Sequence, residues 1–246
     1  MTEVEKSVDD SAPASSPRSV AVSRERDYWE AHEDLDWVSD ESRAEAAALL
    51  PPHTGDVLEV CIGSGTFARG LDAGSSASYT GVDLSGSLLR TLRRRLPEVR
   101  PVQADAHRLV FADDSFDAAI VFSGLHHLPD YPAALEEAFR VLRPAGSFVC
   151  FEPNSRAWYR VFIRRMRGIV GFYSEDEVDL DPRDVSRALE AAGFEIVKLT
   201  YLTIRFRPEH LAWHNRILAG LMYAAAAVGP PAHTRSYFVL EARKPG

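Results

Sequence analysis

The sequence predicts an α/β fold, a mostly parallel sheet with helices on both faces, and three observations carry that prediction. From Asp56 to Asn154, short apolar runs of strand length alternate with segments of helical period. A glycine loop, Gly63-Ser64-Gly65, directly follows the first apolar run. Two late apolar runs, 194–206 and 236–244, lack an ordinary crossover between them, which suggests an antiparallel pair at the sheet edge.

The elements follow in chain order. Residues 1–24 are rich in Ser, Pro, Ala and acid and are expected to be a mobile tail, leaving one domain over 25–246. Within it, 25–52 is expected to be a helical, lid-like segment, with a helix from Ser42 to Leu50 stopped by Pro51 and Pro52. DVLEVCI (56–62) reads as a strand, and FARGLDA, just after the glycine loop, as the start of a helix. Strands over 78–83 and 99–105 flank a helix over 88–96 with an arginine-rich solvent face. A strand over 116–124, a helix over 131–146 ended by Pro144 and Gly146, and a strand over 147–154 complete the repeat. PRDVSRALEAAG reads as a helix before the two late strands. Segments 155–180 and 207–234 are expected to be helical insertions on the substrate side.

Composition narrows the function classes. The 246 residues carry a formal net charge of −8, which argues against a nucleic-acid partner, since that needs a basic surface to displace counterions. Cys61 and Cys150 both sit in apolar runs and read as buried, reduced thiols. The N-terminus lacks a signal-type apolar core, and the apolar stretch from Ile217 to Val228 is too short to span a bilayer. A cytoplasmic protein without stable membrane insertion is expected.

The chemistry centres on VLEVCIGSGTFARG. Glycines after a strand let the backbone approach a ligand, and a helix opening there offers unpaired N–H groups. Asp83 ends the next strand, where a carboxylate can accept both ribose hydroxyls of an adenosine. Gly63, Gly65 and Ala68 also satisfy the GxGxxA pattern of NAD-binding proteins. Glu59 separates the two readings: a carboxylate is awkward beside an anionic pyrophosphate but suits a ligand with ammonium and sulfonium groups. Asp105, in QADAHRL, is placed to accept from an adenine amino group, with the Ala106 N–H facing the ring.

From Val57 to about Asn154 the sequence resembles the common module of class I S-adenosylmethionine-dependent methyltransferases. VLEVCIGSG resembles its first motif, GVDLS its second, QADA its third, and SGLHHLPDYPAALEEAFRVLRPAG its fourth and fifth. The resemblance implies a Rossmann-like, seven-stranded sheet of order 3-2-1-4-5-7-6 with the seventh strand antiparallel. It implies S-adenosylmethionine as donor, S-adenosylhomocysteine as product, and a cofactor site of Glu59, Cys61, Gly63, Gly65, Asp83, Leu84, Asp105, Ala106 and Ser123. Cys61 departs from the family's glycine, and a thiol is tolerated there if φ is negative.

A sulfonium already carries an activated methyl, so alignment and exclusion of water are the main demands and no metal is expected. His126 and His127 follow the fourth strand, and one could serve as general base; the alternative is a packing and hydrogen-bonding role. Tyr28 and Trp29 are candidates for substrate contact in a lid closing over the methionine end, or alternatively anchor a helix onto the core, and Glu152 and Asn154 are candidates for substrate contacts at the end of the fifth strand, Asn154 alternatively as a cap. The stripe AWYRVFIRRMRG (157–168) could meet an anionic partner, or pair with the acidic run 174–181. The 208–228 helix could roof an apolar pocket or form a homodimer interface. The reading is O- or N-methylation of a small metabolite; a methyltransferase-like scaffold without transfer activity and an NAD-dependent oxidoreductase are the alternatives.

Overall fold

The computed structural model describes residues 38–51, 55–71, 78–128, 130–160, 177–207, 209 and 213–246. Its elements are α1 (Asp40–Ala47), β1 (Asp56–Val60), β2 (Ser78–Asp83), α2 (Gly86–Arg95), β3 (Arg100–Gln103), β4 (Phe116–Phe122), α3 (Tyr131–Val141), β5 (Leu142–Pro153), α4 (Pro182–Ala192), β6 (Glu195–Leu202), α5 (Trp213–Val228), α6 (Pro231–Thr234) and β7 (Tyr237–Arg243). One seven-stranded sheet has the order β3-β2-β1-β4-β5-β7-β6. Strands β1 to β5 pair in parallel, while β7 runs antiparallel to both β5 and β6. The expected Rossmann-like order and late antiparallel pair are both present.

Side-chain alternation along each strand builds two cores. Leu58, Val60, Ala119, Val121, Phe148, Cys150, Phe238 and Leu240 face one layer, covered by Leu135 and Ala138 of α3 and by Val185 and Leu189 of α4. Val57, Ile120, Phe122, Val149, Phe151 and Val239 face the other, covered by Ala46 of α1 and by Leu89 and Leu92 of α2. Strands buried on both faces explain why the sequence shows apolar runs rather than strict alternation.

Local signals set the helix ends. Ser85 Oγ accepts the Leu88 N–H at 3.3 Å to start α2, and Asp181 accepts the Arg183 N–H at 2.9 Å to start α4, with Pro182 at its first position. Two expectations are corrected. Helix α3 ends at Val141, and the RPAG segment belongs to β5 with a register irregularity against β4 between Phe116 and Ala118. No α-helix opens on the glycine loop among the described residues; a turn leads into a short 3-10 segment, Ala68–Gly70. Backbone N–H groups of the loop itself, rather than a helix terminus, are therefore what this edge offers a ligand.

Among the described residues no helix is long and apolar enough to cross a membrane. Both cysteines are free thiols.

Candidate functional site

The strand order reverses between β1 and β4, and open α/β sheets bind ligands at such a switch point, beyond the carboxyl ends of the strands. The glycine loop, Asp83, Asp105, Ser123 and the two histidines all follow strands at this edge.

The loop after β1 is tightly wound. Cys61, Gly63 and Gly65 have φ of 58°, 58° and 85°. The condition of a negative φ at Cys61 is not met: the thiol-bearing residue takes the left-handed conformation that favours glycine, at a cost of roughly 1–2 kcal/mol. A Cβ on Gly63 would meet nothing within 4 Å, so the space in front of it is open to a ligand. A Cβ on Gly65 would lie 2.7 Å from Leu92, so that glycine lets α2 pack against the loop.

Asp83 ties this loop to β2. Its Oδ2 accepts the Gly63 N–H at 2.8 Å and its Oδ1 the Ser85 N–H at 2.9 Å. Burial pushes its carboxyl up, and those backbone donors oppose the shift. Each oxygen keeps a lone pair for a further donor. Leu84 follows, partly buried, with its carbonyl accepting from Gln103 Nε2 at 2.9 Å. At the next strand end, Asp105 Oδ1 accepts the His107 N–H at 2.9 Å and lies 2.6 Å from His107 Nδ1, while Ala106 is buried beside it. Ser123, at φ 55°, hydrogen-bonds Tyr237 through their hydroxyls at 2.8 Å.

Burial pushes the Cys61 thiol up, and the charges of Asp83, Glu152, Asp105 and Glu59 add to that shift, so this sulfur is a neutral thiol. The Asp83 and Asp105 carboxyl groups, beside an open glycine loop, suit a cationic ligand better than an anionic pyrophosphate.

Glu59 lies deeper than the sequence implied. It is 1% exposed and accepts from Tyr79 Oη at 2.6 Å. Burial, with a smaller push from Asp83, raises its carboxyl to about 8, so it is protonated at neutral pH. The raised value favours folding below about 4.5, and that contribution is lost as pH rises through about 8. Replacing Glu59 by Gln is expected to remove up to about 1.4 kcal/mol of stability loss per pH unit inside that window. Melting temperatures across the window check this; parallel profiles for the two proteins would contradict it.

The loop after β4 is held from β5. Glu152 is fully buried; its Oε1 accepts the Gly124 and Leu125 N–H groups at 2.9 and 2.8 Å, and its Oε2 lies 2.7 Å from His126 Nδ1. Burial raises its carboxyl to about 7, against the pull of those backbone donors. Asn154 is likewise fully buried, donating to the Ala232 and Arg235 carbonyls at 3.1 and 3.0 Å and accepting the Arg156 N–H at 3.1 Å. Both residues are fully buried and brace the loops around them through these hydrogen bonds. Of Asn154's two readings, the structure gives it the cap-like one.

Tyr28 and Trp29 lie outside the described residues, as does the basic stripe beyond Arg160. Arg160 itself pairs with Asp179 of the acidic run at 3.8 Å. Sequence reasoning missed Tyr79, His107 and Gly124. A Cβ on Gly124 would come within 2.6 Å of Cys61 Cβ, so this glycine lets the β1 and β4 loops touch.

An α/β sheet with this strand order, switch point and open glycine loop has the Rossmann-like architecture. Residues 58–150 match the family described as methyltransferase domain. A demethylmenaquinone methyltransferase of Staphylococcus aureus is 29% identical over 182 residues, covering 65% of this chain and 76% of the relative. In fold, the chain resembles a Haloferax volcanii structure, the complex of the Trm112 methyltransferase activator with a methyltransferase (TM-score 0.66, 21% identity, 91% of this chain and 97% of that one). It also resembles a SAM-dependent methyltransferase of Thermotoga maritima (TM-score 0.63, 20% identity, 90% and 95%). Residues 58–150 are thus a methyltransferase domain, carried on a Rossmann-like sheet, and the chain is an enzyme of the methyltransferase type.

Proposed function

We propose that this enzyme transfers a methyl group to an O or N atom of a small, apolar or aromatic metabolite. The observation that carries the reading is Asp83, whose carboxyl group holds the loop after β1 beside the open face of Gly63. In this reading Asp83 receives the ribose hydroxyls, Asp105 the adenine amino group, and Leu84 and Ala106 flank the adenine. The Gly63–Gly65 backbone and Ser123 border the methionyl end. His107, bonded to Asp105, fixes the direction of that carboxylate.

The donor supplies an activated methyl on a sulfonium, so the protein's task is to hold the acceptor in line and keep water out. Helix α5 supports an apolar acceptor: from Ile217 to Val228 it carries no charged side chain, and Leu218 and Met222 pack with Tyr159, in the segment that follows β5. Of the two readings for the histidines, we favour the structural one, because His126 Nδ1 is committed to the buried Glu152.

Methyl-labelled donor offered with a panel of phenols, amines and non-aromatic alcohols tests the acceptor class. The expected product carries its label on oxygen or nitrogen. Transfer to carbon, or to protein or nucleic acid alone, would overturn the acceptor assignment.

A further inference from the structure

Next to the donor site, His126, His127 and Glu177 form a cluster that methyl transfer does not require. One ring nitrogen of each histidine and one carboxylate oxygen of Glu177 all lie within 4.8 Å of one another. An ion at the centre of such a triangle sits no more than about 2.8 Å from each atom, and closing by about 0.7 Å reaches the 2.0–2.1 Å of a zinc–ligand bond. The imidazole rings stand 4.0 Å apart between centroids, tilted by 41°, although the histidines are consecutive in the chain. The 3-10 turn Leu125–His127 brings them to one side.

Two further observations are independent of that spacing. His126 Nδ1 lies 2.7 Å from Glu152 Oε2, and Glu152 is fully buried. A histidine that donates its Nδ1 proton to a buried carboxylate carries its lone pair on Nε2, with the ring direction fixed. That is the outer arrangement that metal-binding histidines use. Glu177 in turn is fixed to the histidines through the backbone, because the Val178 N–H donates to the His126 carbonyl at 2.8 Å. The three side chains thus converge from two chain segments about 50 residues apart, joined by a main-chain hydrogen bond.

We propose that His126, His127 and Glu177 bind one divalent first-row transition ion, zinc being the representative, with Glu152 as the outer partner of His126. Two imidazoles and one carboxylate, with further positions open, suit Zn²⁺, Co²⁺, Mn²⁺ or Fe²⁺ and disfavour Ca²⁺ or Mg²⁺, which prefer oxygen ligands. The bound ion staples the segment before α4 to the loop after β4, closing one wall beside the acceptor. The site is separate from the residues assigned to the donor, so it stands or falls independently of the acceptor class.

The test uses the full chain without a histidine tag, stripped with chelator, dialysed and titrated with Zn²⁺ alone by calorimetry. Co²⁺ absorption serves as a second readout of nitrogen–oxygen ligation. One ion per chain is expected. Glu152→Gln is expected to weaken zinc binding by about 10–100-fold, and His127→Ala and Glu177→Gln by at least as much. Glu177→Gln, on a partly exposed residue away from the donor loop, is expected to keep S-adenosylhomocysteine affinity, which shows that the fold survives. Absence of saturable zinc binding, or binding at full strength in both His127→Ala and Glu177→Gln, would overturn the site.

Discussion

Asp83→Ala is expected to weaken S-adenosylhomocysteine binding by more than about tenfold while the chain stays folded. In the proposed site Asp83 accepts two ribose hydroxyls, and hydrogen bonds to a charged acceptor contribute roughly 1.5–3 kcal/mol each. The same carboxylate also accepts the Gly63 and Ser85 N–H groups, so its loss loosens the loop that borders the ligand. Both effects act in one direction, which makes tenfold a lower bound. The sheet beneath does not depend on it: the Ile62 N–H donates to the Val82 carbonyl, and the Ala104 N–H to the Asp83 carbonyl, through main chain alone. Calorimetry with circular dichroism separates ligand loss from unfolding. Unchanged affinity would remove the ribose assignment.

Glu152→Ala is expected to produce the larger change in stability. The substitution leaves the Gly124 and Leu125 N–H groups without their acceptor and removes the carboxyl group beside His126 Nδ1, all inside the molecule. Breaking one side of a buried polar cluster of this kind costs about 3–5 kcal/mol, a large part of a domain's roughly 5–15 kcal/mol of stability. Glu152→Gln keeps an acceptor oxygen and the volume, so it is expected to recover most of the loss. Denaturant unfolding of the two variants checks this, and a change within about 1 kcal/mol for alanine would contradict the bracing role. General-base removal, by contrast, typically lowers rate by about 10²–10⁴-fold without unfolding. On the structural reading, stable variants of either histidine lose less than that in a single turnover.

Much of this was legible in the sequence, for identifiable reasons. The parallel sheet was visible because β1, β4 and β5 are buried on both faces and so read as unbroken apolar runs. The late pair was visible because β6 and β7 are long and lack a standard crossover. The positions of Gly63, Asp83 and Asp105 were legible because each ends a strand or lies within three residues of its carboxyl end. What sequence could not give was depth and direction. Glu59 and Glu152 are single polar residues within apolar strands, and only the packing shows that one is capped by Tyr79 and the other gathers two backbone donors and a histidine nitrogen from the β4 loop. Their polar character in an apolar run was the available signal, and it was taken for ligand contact. The φ of Cys61 follows from the loop's closure, held by the Gly65 N–H to Ile62 carbonyl bond and by Gly124 against the thiol, which no local pattern encodes. The His126–His127–Glu177 cluster joins segments about 50 residues apart and has no sequence spacing to announce it.

The central claim is that the loop between β1 and the 3-10 segment, with Asp83 and Asp105, is the donor site. The most direct test is a crystal structure with S-adenosylhomocysteine bound. The account predicts the ribose hydroxyls within hydrogen-bond distance of Asp83, the adenine amino group at Asp105, and the homocysteine end along Gly63–Gly65. A ligand seated elsewhere, or a ribose turned away from Asp83, would contradict it.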